Sequence, residues 1–183
     1  MGKNILILTG SPRHEGNSDL LQQAFAAAAA GAGHETRVFR AGRHNLTGCI
    51  ACDTCFSSGS ACSFDEEFGP LAALFEWAET LVLVTPLYWF SFPAQLKAAL
   101  DKLYAFSATG RALPLREAFL LVCAATDDMA DFDGLVRSYE LICGFLGLAD
   151  RGRLLVPGVD ARGDVRRTNA LSEAAALAAR LDR

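Results

Sequence analysis

The chain has 183 residues, 51% of them hydrophobic and 21% charged, with a formal net charge of −4 at pH 7. That length and apolar content suit one domain, residues 1–183, with a real core, and they exclude a disordered chain. The acidic balance argues against nucleic acid as a partner, because phosphate backbones need a basic face, and no apolar run is long enough to span a membrane.

The predicted elements alternate along the chain. Residues 3–9 (KNILILT) form an almost uninterrupted apolar run, which suits a strand buried on both faces of a parallel sheet. The opening MGKNILILTGSPR runs from strand into a Gly-Pro turn and does not read as a secretory leader. A reducing, cytoplasmic location is therefore expected, where disulfides are rare. A helix follows, with Leu21, Ala24, Phe25 and Ala28 on one face, stopped by Gly31 and Gly33. Residues 35–40 (ETRVFR) make a shorter, more polar strand at or near an edge, and a cysteine-rich loop occupies 48–63. Residues 67–77 are helical, 80–85 (TLVLVT) are the third strand, and 93–106 are a helix with Leu96, Leu100, Leu103 and Tyr104 inward. Residues 118–124 (AFLLVCA) are the fourth strand, 131–146 a long helix, 153–156 a short fifth strand and 169–181 an Ala-rich closing helix. Five strands alternating with five helices predict an α/β fold, a doubly wound parallel sheet in the flavodoxin-like order 2-1-3-4-5 with helices on both faces. Ligands in such sheets sit at the carboxyl ends of the strands, beside the switch point. The loops after the first four strands are therefore the places to look.

The first of these loops is Thr9-Gly-Ser-Pro-Arg-His-Glu-Gly-Asn-Ser18. It opens a helix, and a helix start offers free N–H groups and the positive end of the helix dipole to an anion. Ser11, Asn17 and Ser18 add side-chain donors, and Arg13 adds charge. The dinucleotide pattern G-x-G-x-x-G is absent, and the P-loop spacing and its lysine are missing too. A single terminal phosphate, as in a flavin mononucleotide, fits better than a triphosphate. The alternative is a turn in which Asn17 or Ser18 only caps the helix. The loop after the third strand, Thr85-Pro-Leu-Tyr-Trp-Phe-Ser-Phe-Pro93, crowds four aromatics into five positions. A flat ring system needs an apolar wall of that kind, and a subunit contact is the other use for it.

Gly10-Ser-Pro-Arg-x-x-Gly-Asn-Ser18, together with Thr85-Pro-Leu-Tyr-Trp and Phe92-Pro-Ala-Gln-Leu-Lys97, resembles the flavodoxin-like NAD(P)H-dependent FMN reductase superfamily over residues 1 to about 125. The cysteine run resembles that of its iron–sulfur flavoprotein branch. The resemblance implies noncovalent FMN, its phosphate on Ser11, Arg13, Gly16, Asn17 and Ser18 and its ring along Pro86, Leu87, Tyr88, Trp89 and Phe90. It also implies homodimers or homotetramers whose neighbouring subunits complete each site. Many members have a Gly-rich turn after the fourth strand, where this chain reads Ala124-Ala-Thr-Asp-Asp-Met-Ala-Asp-Phe-Asp133. Thr126 is the residue there placed to hydrogen-bond the ring. The four aspartates are most simply a solvated loop, and an acidic rim there would disfavour a second phosphorylated nucleotide.

Cys49, Cys52, Cys55 and Cys62 are spaced C-x2-C-x2-C-x6-C. Structural zinc usually takes two separated pairs, whereas three cysteines at x2 intervals resemble the ferredoxin pattern. One loop of this length is able to hold a [4Fe–4S] cluster. Zinc and free thiols remain as alternatives. Cys123 and Cys143 fall in a buried strand and an amphipathic helix and read as core. His14, His34 and His44 form no constellation, and no nucleophile, base and orienter come together as in a hydrolase. No residue is assigned as catalytic, because a flavin carries its own chemistry. The expected function is an FMN-dependent oxidoreductase supplied by NAD(P)H or a ferredoxin-like donor. Its acceptor is a quinone, a nitro compound, a flavin or a one-electron carrier. The alternatives are a non-enzymatic flavodoxin-type carrier, for which the net charge is mild, and a flavin-free metal sensor.

Overall fold

Five parallel strands form one sheet in the order β2-β1-β3-β4-β5, as the alternating pattern predicts. They are β1 (Asn4–Thr9), β2 (Glu35–Arg40), β3 (Thr80–Pro86), β4 (Glu117–Cys123) and β5 (Ala149–Val156). The computed structural model describes residues 2–182. Ile7 of β1 lies opposite Val38 on one side and Val82 on the other, and Leu121 of β4 lies between Val84 and Leu154.

Alternate strand residues go to opposite faces, and each face has its own core. Leu6, Leu8, Leu83, Leu120 and Val122 meet α2 (Phe68–Trp77), α3 (Ala94–Asp101) and α5 (Asp133–Leu146) through Phe75, Leu96 and Tyr139. Ile5, Ile7, Val84, Phe119 and Leu121 meet α1 (Asn17–Gly31) and α6 (Ala170–Ala178) through Leu21, Phe25 and Leu177. The middles of the central strands are apolar because both faces are covered, with polar residues such as Asn4, Thr80 and Glu117 at their ends. β2 is polar because it is an edge strand, with only Phe39 fully buried along it.

Two elements differ from the sequence reading. β5 begins at Ala149 rather than at 153. Its polar first half resembles a loop, but it is the other edge strand. Asp150 accepts from the Tyr139 hydroxyl at 3.0 Å, and Arg153 reaches Glu140 at 2.7 Å. The helix expected over 93–106 is two: α3 stops at Asp101 and α4 spans Tyr104–Ala108. Between them Leu103 N–H donates to Leu100 and Ala105 N–H to Lys102, so the turn is tighter than an α-helix. The side chain of Lys102 at this turn is drawn inward and buried, while Tyr104, expected inward, is exposed and donates to Asp53 at 2.9 Å.

Phe106 of α4 packs edge-on against Phe56, Phe68 and Phe75 at centroid distances of 5.7, 6.4 and 6.3 Å. Phe56 belongs to the cysteine loop, so α4 supports that loop from below. Phe106→Ala is expected to lower stability by about 3–5 kcal/mol in urea denaturation, with amide exchange rising most over residues 48–63.

Candidate functional site

The loops after β1, β3, β4 and β5 enclose a cleft of about 150 Å³ at the carboxyl edge of the sheet. Ser11, Arg13, Gly16, Asn17, Ser18, Pro86, Leu87 and Tyr88 all line it, so the two motifs singled out in the sequence meet in one place. α1 starts there. Its first backbone bond runs from Leu20 N–H to Gly16, which leaves the N–H groups of Asn17, Ser18 and Asp19 without helical partners. The Ser11 hydroxyl is buried and accepts from Arg13 N–H at 3.2 Å, leaving its own proton to donate.

The loop is held from three sides. Asp19, itself buried, accepts from Glu15 N–H at 2.9 Å and fixes Glu15 in a left-handed turn with φ 50°. Gly42, just beyond β2, lies under the backbone of Ser11 and Pro12. A Cβ at Gly42 would stand 2.5 Å from the Ser11 carbonyl carbon. Asn17 makes the third tie. Its amide donates to the carbonyls of Val159 and Ala161 at 3.4 and 3.0 Å, and its oxygen accepts from Gly163 and Val165 N–H at 3.0 and 3.2 Å. Those four bonds use the whole hydrogen-bonding capacity of the side chain. Asn17 therefore contributes its backbone N–H to the cleft, while its side chain anchors the loop after β5.

Three predicted residues lie elsewhere. Trp89 is 93% exposed and Phe90 is 55% exposed, and neither lines the cleft. Both have positive φ, 47° and 63°, in a turn closed by reciprocal bonds between Tyr88 and Ser91. Gly134 makes room for this turn, since a Cβ there would lie 2.8 Å from the Phe90 carbonyl oxygen. Thr126 faces its own loop, where its hydroxyl accepts from Asp128 N–H at 3.1 Å. Cys123, Ala124, Ala125, Val159, Asp160 and Arg162 line the cleft without having been anticipated. The strand-end rule that pointed to the first four loops applies equally to the fifth. Arg162 pairs with Glu15 at 2.9 Å across the mouth.

A second cavity, of about 190 Å³, opens beside the loop after β2, and Cys49, Cys52, Cys55 and Cys62 all line it. Its other walls include Ile50, Phe64, Phe68, Lys102 and Tyr104. The loop winds tightly, with Ala51, Asp53 and Phe56 at φ 52°, 55° and 58°. Non-glycine residues held there cost about 1–3 kcal/mol each, and such strain gathers at functional sites. Among the described residues, no three His, Cys, Asp or Glu side chains converge on a point that suits one metal ion. The thiols stand around a space rather than around a point. Thr54, with its hydroxyl 3.2 Å from Cys52 Sγ, holds that thiol below its ordinary pKa. Burial, then the neighbouring Cys52, Cys49 and Cys62, push Cys55 up.

The flavodoxin-like fold family model, Flavodoxin_2, matches residues 3–181. An iron–sulfur flavoprotein of Methanocaldococcus jannaschii is 31% identical over 117 residues, 64% of this chain and 55% of its own length. An FMN-dependent NADH:quinone oxidoreductase of Thiobacillus denitrificans is 34% identical over 114 residues, 54% of this chain and 52% of its own. The chain thus spans about half the length of the curated relatives it matches. An NAD(P)H:quinone oxidoreductase from Methanothermobacter marburgensis superimposes with a TM-score of 0.79 over 100% of this chain and 98% of its own, at 20% identity. That likeness is one of fold.

The two cysteines outside the loop differ from the four within it. Burial pushes Cys123 up to about 12 and Cys143 up to about 11 from an ordinary 9.0. Because the folded values are raised, this contribution to stability is complete below pH 9 and is lost as pH rises through 11 and 12. Iodoacetamide at pH 8 on reduced, metal-free protein is expected to label Cys49, Cys52, Cys55 and Cys62. Cys123 should react about a thousandfold more slowly than an ordinary thiol, as read by peptide mass mapping.

Proposed function

The chain belongs to the flavodoxin-like fold family, and from that premise we propose that it is an FMN-dependent oxidoreductase. It takes reducing equivalents from NAD(P)H or a ferredoxin-like donor and passes them to a small acceptor such as a quinone, a nitro compound or a flavin, or to a one-electron carrier. The observation that carries this reading is the meeting of the Ser11–Arg13 loop, the start of α1 and the Pro86–Tyr88 strap in one cleft.

The residues present fit FMN. The free N–H groups at the start of α1, the Ser11 hydroxyl and the Arg13 guanidinium suit a phosphomonoester dianion. Arg162 lines the mouth of the cleft, its charge paired with Glu15 at 2.9 Å. Pro86 and Leu87 offer apolar surface for a flat ring, and Tyr88 closes the side of the cleft. When bound, the flavin supplies both hydride and single-electron chemistry. With FMN bound, the start of α1, Ser11 and Arg13 would hold the phosphate, and Pro86, Leu87 and Tyr88 would flank the ring. No side chain is assigned as catalytic, because a bound flavin carries this chemistry itself.

The same reading takes the four-cysteine cavity as the seat of a [4Fe–4S] cluster on Cys49, Cys52, Cys55 and Cys62. A cluster spreads its iron over several corners, and four thiols around a cavity suit that better than they suit a lone tetrahedral ion with bonds of about 2.3 Å. The relative named an iron–sulfur flavoprotein agrees with it. Six free thiols accord with a reducing cytoplasm, and no helix among the described residues is long and apolar enough to cross a membrane. The exposed Trp89 and Phe90 beside the cleft support association into a homodimer or homotetramer. Residues 1–183 are read as one domain, since both cores share a single sheet.

FMN titrated into flavin-stripped protein is expected to quench flavin fluorescence at one site per chain, and oxidation of NADH or NADPH with a quinone acceptor should follow. Inertness toward both nucleotides, with reduction by a ferredoxin, would indicate a carrier instead. Arg13→Ala removes a charge-assisted hydrogen bond of about 1.5–3 kcal/mol and should weaken FMN binding about ten- to a hundredfold. Gly42→Ala, which forces the Ser11–Pro12 backbone to shift, should weaken it at least tenfold although Gly42 does not line the cleft.

A further inference from the structure

Lys102 sits at the turn that splits α3 from α4, and only 3% of its side chain is exposed. Lysine is rarely buried this deeply without a partner and a reason. Its ammonium pairs with Asp65 Oδ2 at 3.0 Å, and Asp65 is likewise 3% exposed. It also donates to Cys62 Sγ at 3.5 Å and lies 5.5 Å from the centre of the Phe68 ring. Asp65 Oδ2 accepts in turn from the Thr47 N–H at 2.9 Å and the Thr47 hydroxyl at 3.1 Å. Thr47 precedes the cysteine run and Asp65 follows it. One carboxylate therefore closes the base of the loop, and one ammonium ties that closure to the core and to a thiol.

A structural clasp needs only the Thr47–Asp65 bonds. The lysine adds a fixed positive charge, desolvated, in the wall of the cavity that all four cysteines line. We infer that Lys102 is a positioning residue for the cluster in this cavity, donating a hydrogen bond to the Cys62 thiolate and setting the potential at which the cluster takes up an electron. The inference rests on reading the cavity as a cluster site. A thiolate-bound cluster gains one negative charge when it gains one electron. A nearby ammonium attracts the reduced state more strongly than the oxidised one, and hydrogen bonds to the sulfurs act in the same direction. Asp65 partly offsets that field, so the two residues pull the potential in opposite directions. The pair would let the chain set the cluster's potential without altering the flavin cleft, which neither residue lines.

The test uses full-length protein loaded with FMN and reconstituted anaerobically with iron and sulfide, with the cluster potential read by EPR-monitored redox titration and the flavin potential in the same sample as internal reference. Asp65→Asn keeps an acceptor for Thr47 and keeps the ammonium while dropping its counter-charge, and it should raise the cluster potential. Lys102→Met combined with Asp65→Asn removes both charges, so no unpaired carboxylate is left buried, and it should lower the cluster potential. The flavin potential should stay the same in both. Shifts of opposite sign are something a clasp alone would not produce. If both variants hold iron at the wild-type potential, Lys102 is structural only and the inference falls while the cluster reading stands. If the double variant takes up no iron, Asp65→Asn decides by sign: a rise supports the inference, and no change or a fall overturns it. If wild-type protein itself takes up no iron, the cluster reading falls and this inference with it.

Discussion

Every strand of the sheet runs the same way, and that constraint governs the rest of the molecule. Parallel pairing through β2-β1-β3-β4-β5 brings the carboxyl ends of all five strands to one edge. The loops that follow them are the least regular parts of the chain, and they carry the hydroxyls, guanidinium groups, aromatics and thiols. The opposite edge has a different character. There Glu117, almost wholly buried, is met by Lys3, by the Thr80 hydroxyl at 2.8 Å and by Arg151 at 3.0 Å. Such a network satisfies a buried charge.

The irregular edge is kept in shape by single polar side chains, each tying two distant segments. Asn17 joins the start of α1 to the loop after β5, and Asp65 joins the two ends of the cysteine loop. Both side chains are buried, so losing these bonds would leave a polar group unsatisfied. Small residues do the complementary work. Gly42 and Gly134 let backbone pass close to the two functional turns, where any side chain would collide.

Much of this was legible in the sequence for a physical reason. A strand covered on both faces is apolar along its middle, and β1, β3 and β4 announce themselves that way. The edge strands were harder. β2 was read as a shorter, more polar strand near an edge, but the first half of β5 was missed because Asp150, Arg151 and Gly152 look like loop residues until the pairing with β4 and the Tyr139 hydroxyl on Asp150 are known. The loop that opens α1 stood out by its residue types, yet the duty of Asn17 did not. An amide that donates to a helix start and one that stitches two loops together are the same letter. Trp89 and Phe90 were grouped with Tyr88 by adjacency. The left-handed turn that points them outward depends on a glycine more than forty residues away. Lys102 gave no signal at all, since one lysine in a helical pattern reads as surface.

The two cores give the molecule an asymmetry with an evolutionary meaning. The cysteine loop packs through Leu46, Cys55, Phe56 and Cys62 onto the α2, α3 and α5 layer, while α1, whose first residues form the cleft, belongs to the layer on the opposite side of the sheet. Mutations that erode the thiols are thus absorbed within one stratum, with the strands as a partition. A descendant could rebuild the cysteine loop and inherit, on the far side of the sheet, the helix whose first residues line the cleft.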